Sequence, residues 1–163
     1  MLRAGATASS NRVTPSAGAE DTAARVQGPT LRHINPLAGY GFSYPAGWEL
    51  ERSGAVSQVS SRDGRLVVSF ALGPVGLPTS YEGFESLLVS TYDDVDIAEV
   101  DADAIDGRNT VVVTGSATAD AGPIDFRALL VEREGAPSVG AFAASDVGAF
   151  DPRLNEVLGS LRF

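Results

Sequence analysis

The densest run of chemically capable side chains is DDVDIAEVDADAID, residues 93–106. Seven of its fourteen positions are acids: Asp93, Asp94, Asp96, Glu99, Asp101, Asp103 and Asp106. Hard cations want several carboxylate oxygens, so calcium is the first chemistry to weigh. DADAIDG, starting at Asp101, resembles the opening of a calcium-binding loop. Its glycine falls at the seventh position rather than the sixth, and Val112 stands where the closing glutamate belongs. The competing reading is a strand. Ala98, Val100, Ala102 and Ala104 alternate with Glu99, Asp101 and Asp103, which predicts one half-buried face and one solvated acidic face. Acids along such a strand also blunt a sheet edge against unwanted pairing. Asp94, Asp96, Glu99, Asp101 and Asp103 are therefore the candidates for an interaction surface.

Other chemistries fall to the residue inventory. The 163-residue chain has no cysteine, which removes disulfides, thiol nucleophiles and iron–sulfur clusters. All twelve basic residues are arginine, so the phosphate-binding lysine of a P-loop and Schiff-base chemistry are absent as well. The single histidine, His33, falls in a segment that reads as a linker, where an exposed residue is expected. Many carboxylate pairs could serve hydrolysis, but none stands out, and Glu132 and Glu134 around Arg133 read as a solvated strand end. Arg108 and Arg127 are expected to pair with the abundant acids. No catalytic, cofactor-binding or metal-binding residue is assigned.

Net charge is −9, unevenly spread: Arg3, Arg12, Arg25 and Arg32 against Glu20 and Asp21 leave residues 1–36 positive, so the remainder is strongly acidic. An acidic globule repels phosphate backbones and anionic membranes, so no nucleic-acid partner is expected. No apolar run reaches the ~20 residues of a membrane helix, and MLRAGATASS lacks the apolar core of a signal peptide.

The elements that must position these residues begin at Leu37. Residues 1–36, rich in Ala, Gly, Ser and Thr, show no periodicity and read as a flexible tail; 37–163 read as one domain. GYGFSYPAGWEL, 39–50, holds Tyr40, Phe42, Tyr44 and Trp48, alternating with small residues around a YPAG turn. This predicts a hairpin-like corner whose rings enter the core; the competing reading is a ligand platform with rings in solvent. VSQVSS and RLVVSFALG form a hairpin through Asp63-Gly64, and further hairpins turn at Asp106-Gly107 and at EGAP, 134–137. Between them, Thr79 and Glu82 fit a capping box, and Tyr81, Phe84, Leu88 and Tyr92 recur at helical spacing. Asp151 and Pro152 open a closing helix with Leu154, Val157, Leu158 and Leu161 on one face. About seven strands and two helices, with consecutive hairpins, predict an α+β fold: a mainly antiparallel sheet covered by helices.

In this order the elements resemble the PsbP-like superfamily, the Mog/PsbP/DcrB type of fold. The likeness rests on the corner GYGFSYPAGWEL, the helix SYEGFESLLVSTY, the hairpin DGRNTVVVTGSA and the closing DPRLNEVLGSLRF. Composition is most similar to the actinobacterial envelope lipoproteins of the LpqN and LpqT type, although the lipidated cysteine of that group has no counterpart here. The resemblance implies a six- to seven-stranded antiparallel sheet between helices, no cofactor, and a non-catalytic binding or adaptor role toward a protein partner or an apolar ligand. It further implies a place at the cell envelope or secretion, whereas a native N-terminus as given would place the chain in the cytoplasm; a monomer or weak homo-oligomer is expected. A hydrolase using acidic residues, and an accessory domain without a ligand, are the alternatives.

Overall fold

The computed structural model describes residues 28–73, 81–146 and 150–163. Its elements are β1 (Thr30–Asn35), β2 (Tyr40–Pro45), β3 (Glu49–Ser53), β4 (Val56–Ser60), β5 (Leu66–Leu72), α1 (Tyr81–Thr91), β6 (Asp93–Ile105), β7 (Arg108–Ala119), β8 (Gly122–Val131), β9 (Val139–Ser145) and α2 (Pro152–Gly159). Seven strands form one sheet in the order β3-β4-β5-β9-β8-β7-β6, and β1-β2 form a separate ribbon. All pairings are antiparallel. The chain builds β3–β5 as a meander and passes through α1 to the far edge. It then returns as β6–β9, so that β9 docks against β5. The expected α+β architecture is the one observed.

Period-two alternation explains the layers. One cross-strand row runs Val112, Leu129, Ala141, Phe70, and the next runs Val113, Ala128, Phe142, Ser69. Successive side chains point to opposite faces. The first row joins Tyr40, Phe42, Tyr44 and the α2 residues Leu154, Val157 and Leu158 in one core cluster. The second row supplies Val113, Ala128 and Phe142 to a second cluster, with Phe84 and Leu88 of α1. The sheet is thus covered on both faces, by the β1–β2 ribbon with α2 and by α1. The proposed capping residue Thr79 and the loop before α1 lie outside the described residues. At α2 the cap is present: the Asp151 carboxylate accepts the Arg153 N–H at 2.9 Å, and Pro152 opens the helix.

Three expectations need correction. First, the fold reaches back before Leu37: residues 30–35 form β1, and His33 is buried, not an exposed linker residue. The strand escapes a hydrophobicity reading because its buried residues are polar and its two large apolar ones are not buried. Leu31 and Ile34 are exposed, while His33 and Asn35 point inward. Residues 1–27 lie outside the described residues. Second, β2 and β3 do not pair. β2 pairs with β1, and β3 with β4, so the YPAG corner carries the chain from the ribbon to the main sheet. Third, residues 98–104 of β6 are exposed on both faces, including the alanine face expected to be half-buried. α1 is only 11 residues long, and it packs on Val95 and Ile97 at the start of β6 but not on the rest.

The aromatic corner enters the core for three of its four rings. Tyr40 and Phe42 are each 1% exposed and Tyr44 is 8%. Phe42 lies flat against Phe70, with centroids 4.2 Å apart and planes 19° apart. Trp48 is only partly buried, packing against the margin of this cluster. The ribbon is also stapled from the C-terminal side. Gly41 and Arg162 exchange backbone hydrogen bonds at 2.8 Å, and the Ser160 hydroxyl accepts the Ser43 N–H at 2.8 Å. Phe42→Ala removes the ring that joins ribbon to sheet, and is expected to lower unfolding free energy by about 3–5 kcal/mol in a urea titration. A loss under about 1 kcal/mol would mean that the ribbon contributes little to the core.

Candidate interaction surface

All five candidate residues lie on β6, an outermost strand paired only with β7. All five are exposed. Register assigns their faces. Glu99 stands opposite Thr114, Asp101 opposite Val112 and Asp103 opposite Thr110, so these three acids share the α2 side of the sheet. Val100 and Ala102 stand opposite Val113 and Val111, on the α1 side. Asp94 and Asp96 sit apart from the other three, where the ladder shifts register between Asp93 and Asp96 and again between Ile97 and Glu99. Asp94 adopts φ 48°, a left-handed conformation aspartate tolerates, and its carboxylate lies 3.5 Å from the Thr118 hydroxyl.

The shift in register is accommodated by a glycine across the ladder. A Cβ on Gly115 would collide with the Asp96 carbonyl and the Phe126 ring. Only glycine lets the irregular start of β6 lie this close to β7. Beyond it the strand is regular, so Glu99, Asp101 and Asp103 stand side by side on one face at roughly 6.6 Å steps. Among the described residues no three histidine or acid side chains converge on a point that could hold a metal ion.

The outer backbone of β6 is partly closed by its own side chain. The Asp103 carboxylate accepts the Ala104 N–H at 2.7 Å, so this N–H points away from β7. Backbone groups alternate direction along a strand, so Val100 and Ala102 also direct theirs outward. Beside them a groove of about 410 Å³ opens between α1 and β6, lined by Val89, Val95, Ile97 and Val100 with Glu85 and Glu99 at its rim. Val89 is 62% exposed and Val100 45%.

Three other constellations come from tertiary structure. The first is a buried polar cluster. His33 Nε2 lies 3.1 Å from Ser57 Oγ, Asn35 donates to the same oxygen at 3.1 Å, and the Tyr40 hydroxyl donates to the Ala55 carbonyl at 2.8 Å. A serine beside a histidine invites comparison with a hydrolytic dyad. Ser57 is 0% exposed, so no substrate carbonyl reaches it. Its role here is to satisfy polar groups in the core. Burial, then the nearby Arg52 charge, holds the His33 pKa below its ordinary 6.5.

The second is an open groove of about 520 Å³ at Trp48, with Arg62, Asp63 and Arg153. Its carboxylate is committed: the Ser61 hydroxyl donates to Asp63 at 2.5 Å and the Arg65 N–H at 3.2 Å, which lower its pKa. The third is the C-terminal ring Phe163, with the guanidiniums of Arg108 and Arg133 at 4.7 and 5.4 Å. Arg133 does not read as part of a solvated strand end. It donates to the carbonyls of Ala38 at 3.0 Å and Pro137 at 2.7 Å, tying the loop after β1 to the β8–β9 turn. Arg127, expected to pair with an acid, donates to Asn155 at 3.1 Å instead. No sequence signal marks the clamps of Arg133 on Ala38 and of Arg127 on Asn155, because each joins residues far apart in the chain.

No protein-family model matches the chain, and no curated protein matches it. Solved structures do. The solution structure of cyanobacterial PsbP (CyanoP) from Synechocystis sp. PCC 6803 matches with a TM-score of 0.57 at 16% identity, over 82% of this chain and 91% of that one. A crystal structure from Bacteroides thetaiotaomicron matches at 0.56 and 11% identity, over 80% of this chain and 47% of that one, so this chain spans about half of its length. A Pseudomonas aeruginosa protein of unknown function reaches 0.46 at 13% identity, over 83% of this chain and 98% of that one, a likeness too slight to argue from. At these identities the shared property is the fold, which is PsbP-like.

The His33 cluster sets a pH dependence. Burial beside Ser57 Oγ, and then the Arg52 charge, favour the neutral His33 ring in the folded protein. The folded protein therefore takes up the ring proton at lower pH than the unfolded chain. Stability is full above the unfolded value of 6.5 and falls as pH drops through it toward the folded pKa. The urea midpoint is expected to fall between pH 8 and 5.5, and His33→Gln to flatten that slope. A wild-type midpoint constant over this range would contradict the assignment.

Proposed function

We propose that this protein is a non-catalytic binding module that engages a protein partner through the acidic edge of β6. The carrying observation is that residues 98–104 are exposed on both faces of a long outermost strand. Such an edge presents unpaired backbone groups and is a ready template for contact. Asp94, Asp96, Glu99, Asp101 and Asp103 supply one sign of charge, which favours association with a basic surface. A protein partner is favoured over an apolar ligand held between sheet and helix. The space under α1 at Phe84, Val111 and Val113 amounts to about 10 Å³, no more than one water needs. The resemblance to envelope lipoproteins supports a place at the cell envelope, with the N-terminal residues serving as spacer.

A hydrolytic role for the acids finds less support. Asp63 and Asp151 have lowered pKa values, Asp151 chiefly through Arg153, and a general acid needs the opposite shift.

Capture from native extract with the full chain, read by mass spectrometry, tests the proposal. Wild type is expected to retain a specific basic protein that the Asp101→Asn/Asp103→Asn variant loses, with retention falling as salt rises. Equal retention by both forms, or turnover of a hydrolase substrate by the purified protein, would overturn it.

A further inference from the structure

We infer that the partner contributes an extended segment, with basic and apolar residues in alternation, that adds to the main sheet as a strand beside β6. This rests on the reading of β6 as the contact surface and specifies how contact is made. Three features meet at one place. Val100 and Ala102 direct backbone donors and acceptors outward, while the next outward N–H, of Ala104, is already taken by Asp103. The register for an added strand is thereby limited to the stretch before Ala104. On the α2 side, Glu99, Asp101 and Asp103 form a row of acids. On the α1 side, Val100 continues into the groove lined by Val89, Val95 and Ile97, with Glu85 among them.

An added strand places alternate side chains on these two faces. Those on the α2 side meet carboxylates and must be basic. Those on the α1 side meet Val100 and Ala102 beside a groove that Glu85 also lines, and an apolar residue there covers Val89 and Val100, which are 62% and 45% exposed. Charge also decides against a second copy of this chain as the occupant. Antiparallel pairing of two β6 strands would set Glu99, Asp101 and Asp103 against the same acids, and like charges placed opposite are unfavourable. The acids thus exclude self-association while leaving the edge open to a strand of opposite charge.

The test uses the full chain and synthetic peptides. One peptide alternates valine and arginine; a second has the same sequence with alternate backbone nitrogens methylated; a third alternates valine and glutamate. The Val–Arg peptide is expected to bind, and to slow amide hydrogen exchange at Val100 and Ala102. The methylated peptide is expected to bind about tenfold more weakly or worse, and the Val–Glu peptide not to bind. Ala102→Pro removes one outward donor and leaves the β7 ladder intact, a substitution that edge strands tolerate. It is expected to abolish binding without lowering the urea midpoint appreciably. Binding of Val–Arg and methylated peptides with equal affinity overturns strand addition whatever the fate of the proline variant. If Asp101→Asn/Asp103→Asn then loses peptide while Ala102→Pro keeps it, strand addition fails and the acidic contact surface stands. Failure of the Val–Arg peptide to bind wild type overturns strand addition and leaves the contact surface to the capture experiment.

Discussion

Phe42 lying flat on Phe70 at 4.2 Å is the contact on which one whole side of the molecule depends. It holds a two-stranded ribbon that shares no backbone ladder with the main sheet and joins it through side chains. A two-stranded ribbon is marginal alone, so its order comes from burial of Tyr40, Phe42 and Tyr44 on β5 and its neighbours. That burial creates a problem at Ser57, which stands opposite Phe70 in the ladder and is sealed from water. A buried hydroxyl without a partner would cost about 1–3 kcal/mol. His33, Asn35 and Tyr40 converge on it from the ribbon, so the aromatic stack and the polar cluster form one joint. Among the described residues no buried side-chain polar atom is left without a partner.

The two edges of the main sheet are managed differently. β3 is short, five residues, and carries Glu49, Glu51 and Arg52. β6 is long, thirteen residues, and projects past the helix that covers its beginning. Length makes an edge sticky, and β6 offsets it with charge, an irregular start and the Asp103 carboxylate on its own backbone. These devices oppose pairing between like copies. They do not oppose a partner of complementary charge, which is why the feature that protects the monomer also reads as a recognition surface.

The main sheet was legible because its strands alternate and its turns carry Asp-Gly or Gly at the required positions. Asp106 and Gly107 both take positive φ, 51° and 73°, as a tight hairpin turn demands. β1 was not legible, because its buried residues are His33 and Asn35 while Leu31 and Ile34 are exposed. Only the presence of Ser57 in the facing layer, with the Tyr40 hydroxyl beside it, makes those inward polar residues favourable. The pairing of β2 escaped for a related reason: the YPAG corner fits a tight turn, but a turn does not say which strands it joins. For β6 the alternation of acids and small residues was read correctly as a strand. Its exposure on both faces depends on where α1 ends, a distance that no local pattern encodes.

What the amino-acid order determined alone is local: which stretches extend, where they turn, which helix faces are apolar, and that no thiol or amine chemistry is available. Those follow from backbone preference and side-chain type within a few residues. Tertiary structure decided the rest. It set which strand became an edge, which polar residues were drawn inward, and which arginines clamp loops far apart in the chain. Each of these is settled by what lies opposite after folding. A carboxylate on an interior strand and one on an outer strand look alike in one dimension, and they part company only when the sheet has a rim.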